Sequence, residues 1–203
     1  SNLYCIHLNK DNVKDICFIN DVLCSCSQES IESIDSNTFE NFSSLHYIDF
    51  SKNNLTSFNS SIIENLTKLD HLDISDNQID YLDADLFKSS SFINFIDLSS
   101  NRINQLDANI FNNLTNLTQL NLNDNKLTDL DDEIFEYLEN LQYLYLSKNR
   151  LNRISSRLLA NLSKLYYLEI RDGQIESIEP DAFKNLINLN RIDLVNNKIE
   201  KLN

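Results

Sequence analysis

One pattern recurs every 24 residues, without a slip, from Leu45 to the end of the chain. Its first full copy places apolar residues at Leu45, Ile48, Phe50, Leu55, Phe58, Ile63 and Leu66, with an asparagine at Asn53. In one-letter form this is L-x-x-L-x-L-x-x-N-x-L-x-x-L-x4-F-x-x-L. The second copy runs through Leu69, Leu72, Ile74, Asn77, Ile79, Leu82 and Phe87, and ends on Ser90 where leucine is expected. Later copies carry Asn101, Asn125 and Asn149 at the asparagine slot, then Gly173, then Asn197 in a partial seventh copy. A unit this short cannot bury its own apolar residues, so the copies must stack and share one core.

The L-x-x-L-x-L stretch is a short strand whose alternate side chains point to opposite faces. Its leucines face the core, and the residues between them line an outer surface. The asparagine turns the chain out of the strand, and its amide can satisfy backbone groups that the turn leaves unpaired. Stacked copies then place these amides in a ladder, which accounts for part of a total of about thirty asparagines. Gly173 offers no side chain and is the weak rung. The phenylalanine slot forms an aromatic spine on the far side.

Composition removes several functions. The chain has one glycine and one proline, so its turns rely on Asn, Asp and Ser. Phosphate-cradling and dinucleotide-binding loops, which need several glycines, are excluded. Seventeen Lys and Arg against thirty-one Asp and Glu give a net charge of −14, which disfavours nucleic acid and anionic membranes as partners. No apolar run reaches the length of a transmembrane helix. Three histidines, His7, His46 and His71, form no metal-ligand spacing, and no nucleophile–base arrangement is visible. No enzymatic activity, cofactor or metal is expected. His46 and His71 occupy adjacent slots of neighbouring strands, as a pH-sensitive pair or as two unrelated surface residues.

These repeats resemble the extracellular, 24-residue type of leucine-rich repeat, over residues 21–203. The resemblance implies an α/β-type solenoid, a horseshoe with short parallel strands on its concave face and loops or short helical turns on its convex face. It extends to Toll-like receptor ectodomains and to insect leucine-rich-repeat immune or secreted salivary proteins. Residues 1–44 are expected to form an N-terminal cap plus a first atypical repeat, and 45–203 six full repeats and a partial seventh.

Cys5, Cys17, Cys24 and Cys26 all fall in the first 26 residues, which reads as a local disulfide framework in an oxidising compartment. Cys24 and Cys26 take strand slots where leucine belongs, so each points inward and is expected to pair with Cys5 or Cys17. Crossed caps in the resembled family imply Cys5–Cys24 and Cys17–Cys26. Residues 3–20 are expected to form a hairpin over the N-terminal end. No cysteine follows Cys26, so the family's disulfide-bonded C-terminal cap is missing. The chain was cut, ends in an ordinary repeat, or meets a partner at that edge.

The informative surface is the concave one. Its third strand slot reads Leu23, Tyr47, His71, Phe95, Gln119, Tyr143, Tyr167, Arg191, and its fifth reads Ser25, Asp49, Asp73, Asp97, Asn121, Tyr145, Glu169, Asp193. With Tyr166, four tyrosines gather on two adjacent strands. Exposed aromatics at this density serve as interface anchors, or stack across strands and stabilise the sheet. The expected partner-binding set is Tyr47, His71, Phe95, Tyr143, Tyr145, Tyr166, Tyr167, Glu169 and Arg191. Seven N-x-S/T sequons, at Asn41, Asn54, Asn59, Asn65, Asn113, Asn116 and Asn161, are candidate glycosylation sites. The expectation is a secreted protein that binds a protein partner on its concave face, in immunity or host–parasite interaction, as a receptor part or salivary effector. The alternative is a matrix or adhesion-type assembly protein that dimerises through its C-terminal edge.

Overall fold

The computed structural model describes residues 6–200. Along the chain come β1 (Ile6–Leu8), α1 (Val13–Ile16), β2 (Phe18–Ile19), β3 (Leu23–Ser25), β4 (Ile31–Ile34), β5 (Tyr47–Asp49), α2 (Ser60–Ile63), β6 (His71–Asp73), β7 (Phe95–Asp97), β8 (Gln119–Asn121), β9 (Tyr143–Tyr145), β10 (Arg153–Ile154), β11 (Tyr167–Glu169), β12 (Ser177–Ile178) and β13 (Arg191–Asp193). Nine strands form one sheet in the order β13-β11-β9-β8-β7-β6-β5-β3-β2. From β3 to β13 every pairing is parallel and in register, so residues 24 apart sit side by side. The middle residue of each interior strand, from Ile48 to Leu168, is fully buried. This is the expected solenoid, with turns and the single-turn α2 on the far side of the sheet.

The asparagine ladder has a fixed geometry. Asn77 accepts the Leu55 N–H through Oδ1 at 2.9 Å and donates through Nδ2 to the Phe50 carbonyl at 2.9 Å. Both groups belong to the preceding repeat, so each amide ties two turns together. Asn53, Asn101, Asn125 and Asn149 do the same. Gly173 breaks the series, and among the described residues the Leu151 N–H finds no acceptor.

The residue before each rung holds a left-handed backbone. Lys52, Asp76, Ser100, Asp124, Lys148, Asp172 and Asn196 have φ between 52° and 59°. The turns therefore also use lysine, beyond the expected Asn, Asp and Ser. A left-handed non-glycine residue costs about 1–2 kcal/mol. Here its N–H donates to the next repeat, as from Lys52 to the Ser75 carbonyl at 3.0 Å and from Lys148 to Arg171 at 2.9 Å. The spine is present as Phe87, Phe111 and Phe135, with centroids 6.1 and 6.3 Å apart. Ser90, in a leucine slot, is buried with its hydroxyl unpartnered.

The N-terminal end differs from the expected hairpin. β1 and β2 do not pair with each other. β1 runs parallel to β4, and β2 runs antiparallel to β3. The segment thus clasps the first repeat on two sides, because β1 extends the far side while α1 turns the chain back to the sheet edge. Cys17 and Cys26 form a disulfide, and Cys26 is fully buried. Cys5 lies outside the described residues. Cys24 forms no disulfide with another described residue, and its Sγ lies 3.4 Å from that of Cys26.

Candidate functional site: the concave face

The third and fifth strand residues stand on one face, two residues apart, in columns across β5 to β13. The nine partner-binding candidates fall into two groups, separated by the Gln119 strand. Toward the N-terminus, Tyr47, His71 and Phe95 form a continuous ring stack. The Tyr47 and His71 centroids are 4.2 Å apart, and those of His71 and Phe95 are 4.0 Å apart with planes 2° from parallel. The ring faces are spent on each other, and ring edges meet the solvent. Burial lowers the His71 pKa, against an opposing pull from Asp70, Asp49 and Asp97. His46 does not pair with His71. Its Nδ1 meets Asp70 Oδ2 at 2.9 Å, because the column places each residue beside the one 24 away.

Toward the C-terminus the aromatics meet edge to face. Tyr143 packs against Tyr166 at 6.1 Å, and Tyr145 against Tyr167 at 5.5 Å. Tyr166 is 47% exposed, so it presents a broad ring outward. The Arg191 guanidinium lies over the Tyr167 ring at 5.3 Å, a cation–π contact. The Tyr167 hydroxyl donates to Glu169 Oε2 at 2.9 Å. Glu169 Oε1 accepts from the Ser147 hydroxyl at 2.7 Å and from the Asn123 amide at 3.4 Å. Glu169 is therefore a hub that fixes Tyr167. Burial raises the Tyr145 and Tyr167 pKa values, with the Glu169 carboxylate adding to both.

The fifth-slot carboxylates have a local task that sequence reasoning missed. Asp49, Asp73 and Asp97 each accept the N–H of the serine two residues on, at 2.8, 2.9 and 2.8 Å. These side chains close the turn at the strand's exit. The signal was present, since Asp-x-Ser recurs at Asp49/Ser51, Asp73/Ser75 and Asp97/Ser99. At β9 and β11 the slot holds Tyr145 and Glu169 instead. The two orphaned N–H groups are rescued from neighbouring strands: Ser147 N–H donates to Asn123 Oδ1 at 2.6 Å, and Arg171 N–H to Ser147 Oγ at 3.0 Å. Asn123 and Ser147 thus hold this region together, and neither was singled out from the sequence. Two further asparagine columns were also missed. On the convex side Asn116, Asn140, Asn161, Asn185 and Asn188 each donate to a carbonyl 25 residues earlier.

None of the seven sequons falls in a strand of the nine-stranded sheet. Asn41, Asn59, Asn65, Asn113, Asn116 and Asn161 are exposed, and Asn54 is half-buried. Among the described residues no helix is long and apolar enough to cross a membrane.

A leucine-rich-repeat family model matches residues 26–79, 67–127, 92–151, 115–172 and 163–203. A comparison with curated proteins finds no match. Among solved structures, a leucine-rich-repeat protein of Leptospira interrogans superposes with a TM-score of 0.82 at 24% identity, over 98% of this chain and 48% of that one. A structure of the TLR13–ssRNA13 complex gives 0.77 at 25% identity, over 89% and 24%. The Drosophila Toll–Spatzle complex gives 0.74 at 24% identity, over 88% and 27%. The present chain thus spans about a quarter of the TLR13 and Toll chains.

Proposed function

Since this chain belongs to the leucine-rich repeat family, whose members are typically non-enzymatic interaction modules, we propose that it is a secreted recognition protein. Its concave face binds a protein partner, in immunity or host–parasite recognition, and the four-tyrosine region is the anchor. The observation that carries this reading is the break in the fifth-slot pattern. At Tyr145 and Glu169 the solenoid gives up its own turn closure and rescues the backbone with borrowed side chains. A departure from a local rule with a dedicated compensation is where function is expected. Tyrosine and arginine are preferred interface anchors, and all seven sequons lie outside this sheet. The Toll neighbour is in complex with Spatzle and the TLR13 neighbour with ssRNA. A net charge of −14 favours protein over RNA as the ligand class here. The Cys17–Cys26 bridge supports an oxidising, extracellular setting.

The test is affinity capture from the source tissue with wild type and the pair Tyr145→Ala, Tyr167→Ala. Each lost anchor is worth about 2 kcal/mol or more, thirty-fold in affinity. The pair should therefore abolish capture while the melting temperature falls only slightly. Leu144→Ala, the buried neighbour between the tyrosines, should instead cost about 2–5 kcal/mol of stability. If the double variant melts far below wild type yet captures as well, the tyrosines serve the sheet and the reading is wrong.

A further inference from the structure

Seven tyrosines are described, and ring contacts on the concave face account for five of them: Tyr47, Tyr143, Tyr145, Tyr166 and Tyr167. Tyr81 and Tyr137 are the other two. Tyr81 is 60% exposed and Tyr137 47%, and neither ring packs against an aromatic or a cation among the described residues. Nothing in the repeat asks for an aromatic at either place. The Tyr81 slot holds Ser57, Gln105, Asp129 or Arg153 in other copies, and the Tyr137 slot holds the sequon residues Asn65, Asn113 or Asn161. Both tyrosines lie outside helices and strands. In each case the next residue, Leu82 or Leu138, is buried, which pins the turn and leaves the tyrosine ring to the solvent. The two also share a setting. Tyr81 stands in Asp80-Tyr81-Leu82-Asp83 and Tyr137 in Glu136-Tyr137-Leu138-Glu139, with a carboxylate one residue before and two residues after. No other tyrosine of the chain has both. The ion pairs of these turns use other carboxylates, Asp85 with Lys88 and Glu133 with Arg157. Asp83 closes its own turn on the Asp85 N–H at 3.0 Å. The side chains of Asp80, Glu136 and Glu139 accept no hydrogen bond from a described residue, so the fold does not explain them.

We propose that Tyr81 and Tyr137 are sulfation sites, two phenols modified by a tyrosine sulfotransferase with 3′-phosphoadenylyl sulfate as the donor. This rests on the secreted part of the reading above, which supplies the compartment and the donor. In each transfer the phenol oxygen forms a bond to sulfur, and the bond from that sulfur to the donor's phosphate oxygen breaks. The phenol proton passes to a base of the transferase, and adenosine 3′,5′-bisphosphate leaves. The flanking carboxylates are the recognition element. An enzyme that holds a polyanionic donor presents a basic cleft, and carboxylates on both sides of the tyrosine steer the acceptor into it and hold it there. A ring in solvent on a pinned turn can enter such a cleft without unfolding, whereas the stacked and edge-packed tyrosines of the concave face cannot. Each product is a fixed negative charge with acceptor oxygens suited to arginine, placed off the concave sheet.

The experiment incubates the folded full chain with a purified tyrosine sulfotransferase and radiolabelled donor. Wild type should take up label, Tyr81→Phe and Tyr137→Phe should each lose about half of it, and the double variant should fall to background. Phenylalanine keeps both rings, so the melting temperature should not move. The quadruple variant Asp80→Asn, Asp83→Asn, Glu136→Gln, Glu139→Gln keeps both phenols and the turn-closing oxygen, and should lose label several-fold. An unlabelled wild type, label that survives in the double phenylalanine variant, or a quadruple variant labelled as well as wild type would each overturn the proposal. In the native protein, mass spectrometry should find one sulfate on the peptide of each tyrosine, labile in acid and resistant to phosphatase. A phosphatase-sensitive group there would be a phosphate ester and would overturn it too. The thiols of the same sample separate the two levels. Native protein with its disulfide but no sulfate overturns the proposal and leaves the secreted reading standing. Native protein with every cysteine free and no sulfate sinks both.

Discussion

The two ends of the concave face use the same residue types in opposite ways. Around β5 to β7 the rings of Tyr47, His71 and Phe95 are consumed by one another, and every turn is closed by an aspartate in its regular place. Around β9 and β11 the tyrosines touch only at their edges, and the turn-closing slot has been given to Tyr145 and Glu169. The buried layer beneath is the same in both, since Ile48, Leu72, Ile96, Leu144 and Leu168 are all fully covered. Aromatic density alone therefore does not identify a binding surface. What distinguishes the second region is that the fold has departed from its own repeat there and compensated with Asn123 and Ser147.

This division has consequences for stability and binding that differ by region. Phe95→Ala ends the ring stack and should cost about 1–2 kcal/mol, from one lost aromatic pair plus its buried area. Its thermal denaturation midpoint should drop, while partner capture through the tyrosine region stays intact. The opposite pattern, unchanged melting with lost capture, would move the anchor to the N-terminal half and erase the distinction drawn between the two.

A smaller effect follows from His71 within the stack. Its folded-state pKa lies below the ordinary value of about 6.5, because burial between Tyr47 and Phe95 outweighs the nearby carboxylates. In the window below 6.5 the unfolded chain binds the proton more readily than the folded one. The associated stability is complete above that value and is lost as pH falls through it. His71→Phe keeps a flat ring in the stack and removes the titration. Between pH 7.5 and 5.5 the wild-type melting temperature should fall more than that of the variant, with His7 and His46 common to both. Parallel curves would show that the imidazolium is tolerated in the stack.

Much of this architecture was legible because its slots are hydrophobic and periodic. The strand register, the buried leucines, the asparagine rungs and the weak position at Gly173 all follow from a 24-residue period. Two kinds of feature were not legible. One depends on side-chain orientation between repeats: a list of third-slot residues reads the same whether rings stack at 4.0 Å, as His71 and Phe95 do, or meet at an angle, as Tyr145 and Tyr167 do. The other lies where the period gives no guidance. Before the first repeat there is no template, and the pairing of β1 with β4 rather than β2 had no sequence signature. The acidic column stood in plain view, yet its role needed the serine two residues on to be considered together with it.

The smallest expected effect sharpens the comparison from below. Gly173 lies in the same repeat as Tyr166, Tyr167 and Glu169, so the tyrosine region rests partly on a turn without an amide rung. Gly173 does not hold a left-handed backbone, since that conformation belongs to Asp172 at φ 54°. An asparagine is therefore compatible with the chain path. Its Oδ1 would accept the Leu151 N–H, and its Nδ2 would reach the Leu146 carbonyl, by analogy with the other rungs. The obstacle is local: a Cβ at this position would meet Asn197 Oδ1 at 2.8 Å. That atom ends a side chain, but Asn197 is held by the Ile175 N–H at 3.0 Å and by the carbonyls of Ile170 and of Leu194, the latter at 2.9 Å, so it must move aside without losing these three bonds. The new bonds and the reduced freedom of the unfolded chain should outweigh this shift. Gly173→Asn is expected to gain about 0.5–1 kcal/mol in denaturant unfolding, with partner capture unchanged. A lower midpoint would mean that Asn197 cannot yield and that the glycine is there to make room for the next rung. A gain in stability accompanied by weaker capture would be more informative still, because it would tie the looseness of this turn to the function of the tyrosines it carries.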